Sequence, residues 1–258
     1  MVSLRRFVVG RRARTAVTGL VLAGLAGGLL AACSSSPPAP PASLGIVQNR
    51  PVPTTALVTE QGRPTTLAAY RGKYVVMAPF LSLCQDECPL VTGAFVAMQR
   101  DVRAAGLGGQ VVFLEVSVDP WRDSPVRLTA YAKRFGADWP LLTGTKTNLK
   151  AFWKQFDVYF ARVPEEQPAM LDWWTGQPLT FDVDHTDGFI LLDPAGHERF
   201  ITVEPPNLHG QLDPGLRKLL NAGGLTNLYH QTTSSWTIPQ ALAALSWLVG
   251  RTIPATST

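Results

Sequence analysis

Charge is sparse in this chain. Asp, Glu, Lys and Arg make up 16% of its 258 residues, while apolar residues make up 46%. For most of its length this excludes a nucleic-acid arm or a highly charged disordered tail, and it leaves enough apolar mass for a real core. The formal charge of +4 is local: Arg5, Arg6, Arg11, Arg12 and Arg14 stand in the first 33 residues with no acid. They leave 18 of the 23 Lys+Arg against all 19 Asp+Glu. No basic surplus remains to bind nucleic acid. Long apolar runs are missing too. The Gly/Ala-rich stretch 16–32 is shorter than the ~20 residues that a membrane-spanning helix needs. Internal repeats are absent. Cysteine is scarce, with three residues at 33, 84 and 88, and histidine occurs four times. Two thiols cannot complete a metal site alone, so a third ligand has few places to come from.

Arginines followed by a short apolar run and small residues before a cysteine make a secretory leader. Leu30-Ala31-Ala32-Cys33 resembles a bacterial lipobox. There the cysteine becomes the lipidated first residue of the mature protein. An ordinary cleavage site or a membrane anchor with a chance cysteine is the plainer alternative. The Arg5-Arg6 pair has poor flanks for twin-arginine export. Residues 1–32 are thus expected to be a lipoprotein signal, with Cys33 lipidated. The Ser/Pro-rich stretch 33–45 then forms a semi-rigid tether, 46–224 the folded domain and 225–258 a C-terminal extension. The expected location is the extracytoplasmic face of a bacterial cell membrane, a compartment that permits disulfides.

The domain reads as an α/β fold. Residues 65–73 form a short helix or turn, and YVVMAPF (74–80) is a strand buried on both faces. Pro89 opens a helix with Val91, Phe95, Met98 and Val102 on one face. A second strand covers 111–118. Helices follow over 124–135 and 147–156, with a short extended piece near 140–142 between them. Strands at 189–192 and 199–203 flank a turn at Asp193-Pro194-Ala195-Gly196. A helix over 215–221 is expected to stop at Gly223-Gly224, and PQALAALSWLVG (239–250) is a helix that packs on the domain. Pro164, Pro168 and Pro178 mark 162–180 as a loop. It carries Trp173-Trp174, which reads as loop packing in preference to a docking patch.

Cys84 ends the first strand and Cys88 precedes the helix. A helix N-terminus favours the thiolate, which is both nucleophile and metal ligand. Spaced i, i+4, the sulfurs can close a disulfide or share one metal ion. His185, in a loop before a strand, is the best placed third ligand, with Asp182 and Asp184 available to orient its ring. His197, His209 and His230 lie in a turn, before a surface helix and in the tail. Asp86 and Glu87 add negative charge that favours a cation and raises thiol pKa values. Asp123 is expected to N-cap the following helix or to pair with Arg122.

The ordered set Cys84-x-x-x-Cys88-Pro89, Asp119-Pro120-x-Arg122-Asp123 and Asp184-His185 resembles the Sco/SenC family across residues 57–220. The resemblance implies a thioredoxin-like fold, a mixed sheet flanked by helices, here with a C-terminal helical extension. It implies one copper, Cu(I) or Cu(II), held by Cys84, Cys88 and His185, for assembly of the CuA centre of cytochrome oxidase. The implied partner is cytochrome c oxidase subunit II or another exported copper or thiol protein. Gln85 departs from the proline that the family often has there. The ligand types suit copper independently, although zinc also accepts them. A metallochaperone is the reading preferred over an enzyme. The alternative is a thioredoxin-like thiol-disulfide oxidoreductase with Cys84 and Cys88 as its catalytic pair.

Overall fold

The computed structural model describes residues 36–230 and 235–256. Residues 1–32, expected to be a leader, and Cys33 lie outside the described residues. The described residues from Ser36 onward form one compact unit. In chain order its strands are β1 Ile46–Pro51, β2 Leu57–Thr59, β3 Pro64–Thr65, β4 Tyr74–Phe80, β5 Val111–Ser117, β6 Leu141–Thr143, β7 Phe160–Val163, β8 Asp182–His185, β9 Phe189–Leu192, β10 His197–Thr202, β11 Pro206–Asn207 and β12 Trp236–Thr237. The α-helices are α1 Cys88–Ala104, α2 Pro125–Phe135, α3 Lys146–Lys154, α4 Pro214–Arg217, α5 Ala222–Tyr229 and α6 Ile238–Val249.

Eight strands form a mixed sheet in the order β1-β10-β9-β4-β5-β6-β2-β3. β4 runs parallel to β5 and antiparallel to β9. β4 lies in the middle of the sheet and every residue from Val75 to Phe80 is buried, which accords with its unbroken apolar sequence. α1 follows β4 and turns Val91, Phe95, Met98 and Val102 inward. Ser124, whose hydroxyl accepts from the Arg127 N–H, caps α2. Asp123 therefore does not cap the helix. It is buried and serves another purpose, described below.

Two further expectations along the chain need correction. Gly223-Gly224 does not end a helix; both residues lie in the first turn of α5. A Cβ on Gly224 would meet the Gln85 carbonyl oxygen at 2.6 Å. The glycine is there for close packing of α5 on the cysteine loop. The loop 162–180 begins as β7, which pairs with β8 in a small separate sheet. His185 is thus the last residue of a strand. The C-terminal helix α6 packs on α1. It starts with a Thr237/Gln240 capping box and ends at Gly250 in the left-handed conformation. No helix of the described residues is long and apolar enough to cross a membrane.

A buried polar cluster lies between α1 and the sheet. Glu115 of β5 is fully buried and accepts from the Thr92 hydroxyl at 2.7 Å and the Trp139 indole N–H at 3.1 Å. Burial pushes its carboxyl up to about 7, against the two hydrogen bonds. A carboxyl raised in the folded state favours folding while it is protonated. That share is complete below the unfolded value near 4.5 and is lost as pH rises through about 7, on the order of 3 kcal/mol. Glu115→Gln is expected to remove this share of the pH dependence. Urea unfolding at pH 5 and pH 8.5 checks it; an equal fall in stability with pH in both proteins would refute it.

Candidate metal centre

Cys84, Cys88 and His185 come from three different places in the fold. Cys84 closes a tight turn after β4, in which its N–H donates to the Leu81 carbonyl. Cys88 is the first residue of α1 and His185 the last of β8. One ligand atom from each lies within 4.8 Å of the others. Among the described residues this is the one cluster of Cys, His, Asp and Glu with the geometry to hold a metal ion. His197, His209 and His230 are not in it. Both cysteines are free thiols; Cys88 is buried and Cys84 half-buried. The Cys88 backbone N–H, at the start of α1, donates to Cys84 Sγ at 3.3 Å. The helix end thus supports charge on the neighbouring thiol.

His185 Nε2 faces Cys88 Sγ at 3.5 Å. Its Nδ1 lies 3.0 Å from the Thr186 carbonyl oxygen. A carbonyl can only accept, so Nδ1 carries a hydrogen. In the neutral ring this leaves the Nε2 lone pair on the sulfur side, as a metal ligand requires. The acid behind the ring is Asp187, with Oδ1 3.7 Å from Nδ1, and neither Asp182 nor Asp184. Asp184 is exposed, and Asp182 Oδ1 accepts from the Val183 N–H. The chain can turn from His185 to β9 because Gly188 has φ +101°, where a Cβ would sit 1.9 Å from the Thr202 carbonyl oxygen.

The electrostatics are uneven. The Cys84 thiol is held well below its usual range by the hydrogen bond from Cys88, with His185 adding to the effect against burial. Burial, and then the Cys84 charge, push Cys88 well above that range. Burial disfavours the His185 cation, but Asp187 and Cys84 outweigh it and raise the ring to about 9. The surroundings therefore favour charge on Cys84 over Cys88 and a proton on the His185 ring. The expected general rise in thiol pKa from Asp86 and Glu87 does not occur at Cys84, because the hydrogen bond from Cys88 and the His185 ring hold that thiol down. Burial and the Cys84 charge lift Asp86 to about 6, while burial and Asp187 lift Glu87 to about 10. Cys84 opens onto a cleft of about 430 Å³ lined also by Asp182, Asp184 and Asp187.

The loop after β5 braces both ligand-bearing segments, a role that sequence patterning does not reveal. Asp123 accepts from the Ser82 hydroxyl at 2.5 Å, from the Ser82 N–H at 3.2 Å and from the Ser117 hydroxyl at 2.7 Å. Ser82 stands two residues before Cys84. Arg122 does not pair with Asp123. Its Nε donates to Asp119 at 2.5 Å, and its Nη1 donates to the Phe181 carbonyl, just before β8, at 2.7 Å. The only sequence signal was a dense Asp-Pro-Trp-Arg-Asp run in a loop.

Fold and site together define a thioredoxin-like domain with a half-open Cys–Cys–His centre at the first strand–helix junction. A model of the SCO1/SenC family matches residues 50–209, and the chain belongs to that family. It is 25% identical over 141 residues to the mitochondrial SCO1 homolog of Mus musculus, covering 55% of this chain and 46% of that one. It is 26% identical over 196 residues to the mitochondrial SCO2 homolog of Bos taurus, covering 72% of this chain and 68% of that one. The chain spans about half the length of the mouse relative. Among solved structures, apo Sco1 from Thermus thermophilus superposes with a TM-score of 0.50 at 24% identity, over 61% of this chain and 84% of that one, and shows the same fold. Copper-bound yeast Sco1 gives 0.49 at 28% identity, over 59% and 78%.

Proposed function

We propose that this chain is a copper metallochaperone that holds one ion on Cys84, Cys88 and His185 and passes it to the CuA centre of cytochrome c oxidase. Subunit II, or another exported copper or thiol protein, is the recipient. The observation that carries the reading is the convergence of two thiol sulfurs and an imidazole nitrogen within 4.8 Å. This soft, three-member set suits Cu(I) and leaves one side open for an incoming ligand. On this reading a lipid on Cys33 holds the domain at the outer face of a bacterial cell membrane.

The residues suggest an order of events. Cys84, the thiol whose surroundings favour the thiolate and which lines the cleft, meets the ion first. Cys88 and His185 each give up a proton as they ligate, so uptake releases protons and strengthens as pH rises toward 9. A recipient's thiolates approach through the cleft and displace the ligands singly. A Cys84–Cys88 disulfide removes two of the three donors, so oxidation empties the site.

The uneven thiols also support a thiol-disulfide oxidoreductase with Cys84 as attacking thiolate. Copper titration of the reduced chain separates the two readings. One copper per chain is expected, with thiolate-to-Cu(II) absorption lost in Cys84→Ala and altered in His185→Ala. A fully reduced protein that takes up no copper would end the chaperone reading and leave the exchange enzyme.

A further inference from the structure

The segment between β7 and β8 carries the Trp173-Trp174 pair, which the metal site as described does not use. Trp174 is largely exposed and stacks on its neighbour at 6.2 Å. Trp173 behaves differently. Its ring packs edge-on against Phe135 at 5.3 Å and Tyr131 at 6.0 Å, both on α2. Its indole N–H donates to the Ser82 carbonyl at 2.6 Å. The turn that presents it is anchored separately. Arg127 of α2 forks onto Asp172 with bonds of 2.9 and 2.8 Å, and the Trp174 N–H donates to Asp172 Oδ1 at 2.8 Å.

Ser82 is fully buried and is gripped from two sides. Asp123 takes its N–H and hydroxyl, and Trp173 takes its carbonyl. One residue lies between this grip and Cys84, and the turn from Leu81 to Cys84 is closed by its own hydrogen bond. A residue held at N–H, side chain and C=O cannot rotate either flanking peptide without breaking a bond. The backbone position from which the Cys84 sulfur projects is held with it.

We propose that Trp173 is a positioning residue for the metal centre: its indole N–H clamps the Ser82 carbonyl opposite Asp123 and fixes the Cys84 sulfur at ligand distance from Cys88 and His185. The proposal rests on the reading of Cys84 as a metal ligand. It has a consequence that needs no metal. The sulfurs lie within 4.8 Å as separate thiols, whereas a disulfide requires about 2.05 Å. A clamp that holds the ligand geometry therefore opposes the closing movement. Loosening it weakens metal binding and stabilises the disulfide.

The test is Trp173→Phe in the full chain, which keeps an aromatic ring and deletes the N–H. Cu(I) affinity is measured by competition with a chromophoric chelator. The metal-free thiols are equilibrated with glutathione: two protein thiols and oxidised glutathione give the protein disulfide and two reduced glutathiones. Loss of one hydrogen bond of ordinary strength predicts about fivefold weaker Cu(I) binding and about a fivefold shift toward disulfide. Opposite movement of the two constants supports the clamp, because general destabilisation has no reason to produce it. Both constants at unaltered values, whatever the melting temperature does, overturn it. Should the unaltered protein bind no copper, the chaperone reading fails while the glutathione arm still decides the clamp. Should the variant not fold, the Trp173 indole N–H is followed by NMR in the unaltered chain. Slow exchange with solvent supports the bond to Ser82, and fast exchange overturns it.

Discussion

A chain carrying Cys88→Ser is expected to lose at least about a hundredfold in Cu(I) affinity, since disturbing even the partners of metal ligands costs 10–100-fold. The two cysteines differ in what their loss removes. Cys88 is 1% exposed and faces the only ring nitrogen free to ligate. A serine hydroxyl there is close in size, so the packing of α1 against β4 should survive with a melting temperature near that of the unaltered chain. What it cannot do is become a soft anion. Two donors then remain, a thiolate and an imidazole, and a chelator outcompetes them. Cys88→Ser also abolishes the disulfide, so it disables a chaperone and an exchange enzyme alike. His185→Ala is its necessary companion, because it removes a metal donor and leaves both thiols. Copper affinity lost with glutathione exchange retained identifies the imidazole as a ligand. Unchanged copper affinity in His185→Ala would reduce the ring to a structural residue.

Legibility from sequence followed the range of the interactions. β4 and α1 were readable because their signals are local: an unbroken apolar heptad of residues, then Pro89 and apolar positions at helical spacing. The cysteines between them were placed by the same logic. His185 was reachable by elimination among four histidines, but its surroundings were not. Asp187, two residues on, lies nearer the ring nitrogen than the adjacent Asp184, because the strand directs neighbouring side chains to opposite faces. β7 and β8 were hidden by prolines and by the brevity of the pairing. The bracing of Ser82 was not legible at all. Its partners, Asp123 and Trp173, are 41 and 91 residues away in sequence, and nothing periodic links them. Gly223-Gly224 misled for a physical reason: glycine serves helix ends and close backbone approaches equally well, and only the approach of α5 to Gln85 tells them apart.

Trp236→Ala is expected to destabilise the fold by about 3–5 kcal/mol, as for large aromatic truncations in a packed core. The residue belongs to the short strand β12 that leads into α6, a region with the look of an appendage in sequence. Yet its ring is fully buried, meets Phe189 edge-on at 4.9 Å, and donates from its indole to the Glu204 carbonyl at 2.7 Å. Alanine leaves a cavity beside β9 and removes the indole donor from Glu204. The damage should extend to the metal centre, because Phe189 lies only four residues after His185. α5 and its N-cap, just before this region, lean on the cysteine loop as well. The Asn221 N–H donates to the Gln85 carbonyl, and the Asn227 amide donates to Asp86. Urea unfolding followed by fluorescence, with Cu(I) competition on the same samples, measures both effects. An unfolding midpoint equal to that of the unaltered chain would mean that the region beyond α5 is dispensable to the core. A lowered midpoint with weakened copper binding would mean that this extension is one of the walls holding the ligands in place.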